Sequence, residues 1–395
     1  MSSLAARMGD LARERGHLAA AGINPFGVCM DEVTTATEAV IGGRPTILVG
    51  TNNYLGLSFA PRAIEAAVEA TRRSGTGTTG SRVANGTYAI HQRLERRIAD
   101  LYERPEALVF STGYMANLAV LSTVAKPGDT ILLDADSHSC IYDGCRLSGA
   151  TMVRFRHNDV EDLEKRIRRL PKDRTGDLVI VVEGIYSMLG DRAPLAEIVE
   201  VKKRHGATLI VDEAHSLGVF GAKGRGLSEE AGVLDEVDFL VATFSKSVGT
   251  IGGFCVSNEA GLDLLRYTSR PYVFTASLPP PVVAAAIESI DMMEKGTHLR
   301  ARLWGNVEHL HRGLTGLGLE ILAAESPILA VRMPSEQALL ACWMGLLEQG
   351  IYVNLALPPA TPQGVYLLRC SVCAEHTREQ LERVIHAFSE VTGRG

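Results

Sequence analysis

The chain has 395 residues, 46% hydrophobic and 22% charged, a composition typical of folded globular proteins and unlike that of disordered ones. At about 150 residues per domain, this length corresponds to two or three domains. Forty basic residues against forty-six acidic ones leave a net charge of −6, which excludes a general nucleic-acid coat but not a small acidic ligand in a local basic pocket. Seven cysteines, an odd number, in a long chain without an export signal read as reduced thiols in a cytoplasm.

In chain order, Leu4, Met8, Leu11 and Leu18 come first, at helical spacing. Arg7, Asp10, Arg13, Glu14 and Arg15 interrupt them, so there is no continuous apolar core of the kind a signal peptide needs. The pattern predicts an amphipathic helix docked on the body or on a partner, with peripheral contact at a membrane surface as the less favoured alternative. Gly42-Gly43-Arg44-Pro45 between two apolar runs predicts a hairpin. Strands are expected at 107–112, 130–136, 151–155, 177–183, 208–212 and 238–244. Several of these runs are apolar on consecutive positions, as in strands covered on both faces. Helical patterns such as Ile90, Leu94, Ile98 and Leu101, or Leu195, Ile198 and Val201, alternate with them. The fold class is therefore α/β, a large mostly parallel sheet with helices on both faces. From about 280 the texture changes. A long helical stretch to 315 precedes short strands near 328–333, 351–356 and 365–370 and helices at 335–349 and 377–391, a smaller α+β domain. The expected division is an N-terminal helix and hairpin (1–50), a large domain (51–285) and a small C-terminal domain (286–395). The longest candidate membrane span, 271–287, is broken by Pro279, Pro280 and Pro281.

Ligands of such sheets sit at the carboxyl ends of the strands. Gly75 to Arg82 has the glycine spacing of a phosphate-binding loop, but Ser-Arg stands where Lys-Ser/Thr is required. Cys370-x-x-Cys373-x-x-His376 offers three zinc ligands where a structural site takes four, and Cys370 continues an apolar strand, so buried thiols are the better reading and no metal is expected. The stronger constellation is Asp212 and His215, followed about thirty residues later by Thr243-Phe244-Ser245-Lys246. An aspartate closing one parallel strand and a lysine following the next both face the crevice. Pyridoxal 5'-phosphate requires this pair, a lysine for the Schiff base and a carboxylate for the ring nitrogen. Thr243, Ser245 and the backbone amides at Gly113 and Tyr114, where a strand gives way to a helix, suit its phosphate.

The ordered set His138, Asp212-Glu-Ala-His215 and Thr243-Phe-Ser-Lys246 resembles the α-oxoamine synthases, pyridoxal-phosphate enzymes of the aspartate aminotransferase fold that join an amino acid to an acyl thioester and release carbon dioxide. The resemblance runs from Gly50-Thr-Asn-Asn-Tyr54 to Arg369-Cys-Ser-Val-Cys-Ala-Glu-His-Thr377. Ser81 to Thr87, Arg270 to Pro279 and Tyr352 to Pro362 make it most like the soluble bacterial members that use L-serine and a long-chain acyl-CoA. The resemblance implies that Lys246 forms the Schiff base and removes the α-proton, and that Asp212 pairs with the ring nitrogen. It implies that His138 stacks on the ring and holds the substrate carboxylate or the thioester carbonyl. His215 and Ser187 neighbour the ring hydroxyl, while Gly113, Tyr114, Thr243 and Ser245 hold the phosphate. In a homodimer, Thr275, Ala276 and Ser277 approach the partner's phosphate, and Tyr54 lies near the shared site. Arg369 anchors the substrate carboxylate; its rival reading is an edge-strand arginine reaching for solvent. For His138 the rival is a helix-start residue, and for Glu183 a structural carboxylate. One departure stands out. Some relatives carry a basic residue before the Pro-Pro-Ala-Thr-Pro loop, where this chain has Leu357, which bears on its affinity for serine.

Overall fold

In the computed structural model, residues 3–20, 27–323, 326–358 and 360–394 are described. A helix spans Ser3–Ala20 as its spacing predicts, but Leu4 and Met8 are 63% and 59% exposed, so at these positions the body of the chain is not what it docks on. The side chains of Leu11 and Leu18 lie outside the described ones. The hairpin follows as β1 (Met30–Val33), β2 (Glu38–Ile41) and β3 (Arg44–Leu48). Gly42 and Gly43 both have positive φ, 56° and 73°, which the tight turn joining Ile41 to Arg44 requires.

The central sheet contains β4 (Glu106–Phe110), β5 (Thr130–Asp134), β6 (Thr151–Phe155), β7 (Leu178–Glu183), β8 (Thr208–Asp212), β9 (Phe239–Thr243) and β10 (Gly253–Ser257) in the order β4-β10-β9-β8-β7-β5-β6. Every residue of β5, β7 and β9 is buried, which is why these strands read as unbroken apolar runs. From β9 to β6 all pairings are parallel. The exception is β10, antiparallel to both β9 and β4 and unforeseen in the sequence. Five residues between Gly252 and Asn258 carry too little periodicity to announce a strand.

The long helical stretch is two helices, Pro280–Lys295 and Thr297–Gly316, separated at Gly296. A second sheet comprises β11 (Ile328–Met333), β13 (Asn354–Ala356) and β14 (Tyr366–Ser371), with β14 in the middle. β12 (Ile351–Tyr352) instead runs parallel to β3, stitching the C-terminal region to the N-terminal hairpin. Gln380 adds hydrogen bonds from the last helix to Thr37 and Glu38. Among the described residues, no helix is long and apolar enough to cross a membrane.

Candidate active site

Consecutive parallel strands end side by side, and this brings the predicted residues together. Asp212, the last residue of β8, is buried. Its Oδ1 accepts the backbone N–H of Ala214 at 2.8 Å, and its Oδ2 accepts the Asn117 amide at 2.7 Å. These two donors fix the orientation of the carboxylate in the crevice. Lys246 follows the adjacent β9. Burial lowers its ammonium from 10.5 to about 8, although Asp212 and Glu183 pull the other way. Neutral amine is therefore available near physiological pH.

His215 is buried three residues beyond Asp212, in the turn that follows β8. Burial holds it well below the ordinary histidine range, and the charges of Lys246, Arg369 and His138 push in the same direction. Its Nδ1 meets the Tyr54 hydroxyl at 2.8 Å, and burial raises that phenol to about 12, the Arg369 charge notwithstanding. A neutral imidazole and a neutral phenol thus form one pair. His138 caps the helix Ser139–Ser148, its Nδ1 accepting the Cys140 N–H at 3.2 Å. The helix-start role is real. It also leaves the proton on Nε2, the nitrogen free to face a ligand. Its own N–H donates to Glu183 at 2.5 Å, and burial followed by the Asp212 charge lifts that carboxyl well above the usual range.

Arg369 lies in β14, the centre of its sheet, and is buried, so the edge-strand reading fails. Its Nε donates to the Ser187 carbonyl at 2.6 Å, and its two terminal nitrogens to Ser371 Oγ at 2.9 Å and Asn52 Oδ1 at 3.1 Å. All three partners are neutral. Among the described residues no carboxylate lies within ion-pair distance of it, which leaves a buried cation able to take an anionic ligand.

Gly113 and Tyr114 open the helix Gly113–Val124 behind its Thr112 cap. A Cβ on Gly113 would lie 2.8 Å from the Cβ of Thr243, and one on Gly253 only 2.6 Å from the Cα of Gly113. Backbone crowding therefore keeps this helix N-terminus open, an anion cradle beside the Thr243 and Ser245 hydroxyls, which are 2.8 Å apart. Tyr114 projects outward and donates to Asp143. Thr275, Ala276 and Ser277 stand apart from the acid–base cluster. Ser277 donates its N–H to Gly80 at 3.0 Å and its hydroxyl to Thr78 at 2.9 Å, so this segment is bound to the glycine-rich loop. That loop is a structural turn: the Asn85 amide lies against Gly80, and Arg82 pairs with Glu95. The thiols of Cys370 and Cys373 are buried, and both ring nitrogens of His376 are committed, to the Cys373 N–H and the Leu48 carbonyl. His376 therefore has no ring lone pair free for a metal.

Sequence reasoning missed Asn117 and Asn52, which fix Asp212 and Arg369. Asn117 lies one helical turn after Gly113, and Asn52 sits beside Tyr54, so both were one step from residues already singled out. The donor set fits pyridoxal phosphate: a fixed carboxylate for the ring nitrogen, a lysine of lowered basicity, and a helix N-terminus that only glycine leaves open.

A family model for class I and II aminotransferases matches residues 44–388. The serine palmitoyltransferase of Caulobacter vibrioides is 55% identical over 94% of this chain and 91% of its own. The structure of the Sphingomonas wittichii serine palmitoyltransferase superposes with a TM-score of 0.96 at 52% identity, covering 99% of this chain and 98% of that one. A high-resolution structure of SPT with PLP as internal aldimine gives the same TM-score, at 49% identity over 99% and 98% of the two chains. The chain belongs to the α-oxoamine synthases within the class I and II aminotransferase family, a pyridoxal-phosphate-dependent acyltransferase closely similar to the bacterial serine palmitoyltransferases.

Proposed function

We propose that this chain is a serine C-palmitoyltransferase, condensing L-serine with a long-chain acyl-CoA such as palmitoyl-CoA to give 3-ketodihydrosphingosine, CoA and carbon dioxide, the entry to sphingolipid synthesis. The observation that carries the reading is the joint placement of Lys246, Asp212, His215, His138 and Arg369 around one crevice, in a chain 55% identical to a serine palmitoyltransferase.

Bound here, pyridoxal phosphate supplies an electron sink for the carbanion formed at the amino acid's α-carbon. Asp212 would pair with the ring nitrogen, and Gly113, Tyr114, Thr243 and Ser245 would hold the phosphate. His215 and Ser187 belong beside the ring hydroxyl. Lys246, about half deprotonated near pH 8, takes the α-proton and later returns one. Arg369 clamps the serine carboxylate, with Tyr54 closing that side. His138 presents its Nε2–H to the carboxylate and then to the thioester carbonyl, where developing negative charge is stabilised. Two substrates must meet over one face, so orientation matters as much as proton transfer.

We assign a homodimer, cytoplasmic in location, with the chain divided at about residues 50 and 285. Support for the dimer is a set of exposed apolar side chains, among them Tyr267 at 74% and Phe274 at 76%. Phe274 immediately precedes Thr275, Ala276 and Ser277, the residues assigned to the partner's phosphate. The exposed Leu4 and Met8 are the part of the N-terminal helix suited to touch the inner membrane surface.

The test is direct. Purified protein should carry a yellow cofactor band that Lys246→Ala abolishes, respond spectrally to serine more than to glycine or alanine, and release thiol from long-chain acyl-CoA. A glycine or alanine response as large as that to serine would make it another α-oxoamine synthase, with a shorter or carrier-bound acyl donor; Leu357 is the feature that would accompany that result.

A further inference from the structure

His157, just beyond β6, touches neither Lys246 nor Arg369, yet it stands between the two loops that position the site. Its Nδ1 lies 2.9 Å from Asp134 Oδ1 and its Nε2 lies 2.5 Å from Asp191 Oδ2, with Asp136 3.9 Å away. A neutral imidazole would turn a lone pair toward one of these carboxylates, so the bridge needs both nitrogens to be donors. Burial opposes that charge, but the two carboxylates outweigh it and hold the ring protonated to about pH 10. The edge of the ring packs on Tyr186, with centroids 4.5 Å apart. Asn158, next in the chain and held at φ 53°, seals the join. Its N–H reaches Asp134 Oδ2 at 2.9 Å and its amide reaches Asp191 Oδ2 at 2.8 Å.

Each end of the bridge leads to a site residue. Asp134 ends β5 and also accepts the Asp136 N–H at 2.9 Å, which fixes the turn that delivers His138 four residues on. Asp191 belongs to a loop closed by the Ile185–Arg192 bridge and by the Tyr186 N–H to its own carbonyl. Within that loop the Ser187 carbonyl holds Arg369 Nε at 2.6 Å.

We propose that His157 is a positioning residue: by bridging Asp134 and Asp191 it holds the turn presenting His138 in register with the loop that orients Arg369. This rests on the function proposed above, in which His138 and Arg369 face the amino acid. The ion-paired bridge gives the two loops a fixed spacing that neutral contacts of the same size would not enforce, because loss of its charge leaves two carboxylates repelling one another.

The test uses holoenzyme carrying His157→Gln, Asp191→Asn or both. His157→Gln should speed hydrogen exchange at residues 134–138 and 185–192 together. It should weaken serine binding, followed by the spectral change per bound cofactor, about tenfold, with cofactor content retained. Asp191→Asn should do the same to a smaller degree. The double variant, which replaces the ion pair with an amide pair, should regain part of the loss instead of adding to it. Unchanged exchange in either loop, unchanged serine affinity in a loaded variant, or strictly additive effects would overturn the proposal. If the wild-type protein ignored serine, the functional reading would fall, while the exchange measurement would still decide whether the bridge couples the loops. A variant that loses its cofactor is read by exchange alone, and unlinked responses of the two loops there count against the bridge.

Discussion

The two sheets contribute to the site in different ways. The seven-stranded sheet supplies groups from strand ends: Asp212 closes β8, Lys246 follows β9, and Glu183 closes β7. The three-stranded sheet supplies a single group from the middle of its central strand, Arg369. Strand ends place a side chain where backbone pairing stops and a cavity begins, so chemistry accumulates there with no loss to the ladder. A mid-strand arginine has no such freedom. It stays buried only because the Ser187 carbonyl, Ser371 and Asn52 take its N–H groups, and that cage aims its guanidinium. On the function proposed above, one sheet would carry the reaction and the other recognition of the amino acid.

Substitutions can break this division, and the largest effect belongs to the large sheet. Lys246→Ala should lower thiol release by about a thousandfold or more, because nucleophile and base are lost together; rates measured with the visible spectrum of the same sample check this. Asp212→Asn should cost on the order of a hundredfold in kcat, the scale of one preorganised electrostatic partner, with serine KM moved far less. Arg369→Lys should show the opposite pattern. Loss of the planar fork should raise serine KM by about tenfold while kcat for bound serine changes little. An equal fall in kcat would mean that the small sheet also takes part in the chemistry. Tyr54→Phe removes one hydrogen bond to His215 and should cost about fivefold or less in kcat/KM.

A different kind of effect, on stability, follows from the Lys246 shift. Its amine titrates at about 8 when folded and from 10.5 as the ordinary value. Between those limits the unfolded chain binds more protons, so cofactor-free protein gains stability as pH rises from 8 toward 10.5. Lys246→Ala should lack that gain. Thermal denaturation of both cofactor-free proteins across this window checks the sign, and identical pH profiles would place the lysine outside the buried crevice.

How much of this was legible varied with how local each signal is. The six runs predicted as strands correspond to β4 to β9; in β5, β7 and β9 full burial on both faces writes itself as consecutive apolar residues, while the edge strand β6 is only partly buried. The hairpin at Gly42-Gly43 was legible because two positive φ angles in a row call for glycine. The break at Gly296 was not foreseen, since amphipathic spacing continues across it. Nor was β10, whose antiparallel direction is decided by its neighbours. At the site, Asp212, His215 and Lys246 could be found by their order along the chain, whereas Asn117 and Asn52 carry no pattern of their own.

The sequence by itself determined the α/β class, the ends of the parallel strands and the residue types gathered there, because these depend on periodicity and on short motifs. Tertiary structure alone decided that Arg369 is central and buried, that Thr275 to Ser277 pack on the glycine-rich loop, and that His157 joins two carboxylates. Each of those depends on which distant segments become neighbours. Arg369 and Asn52 are a case in point: far apart along the chain, they are 3.1 Å apart in the fold. Local chemistry is written in the order of residues, while its aim is set by sheet order and by contacts that close only when the chain has folded.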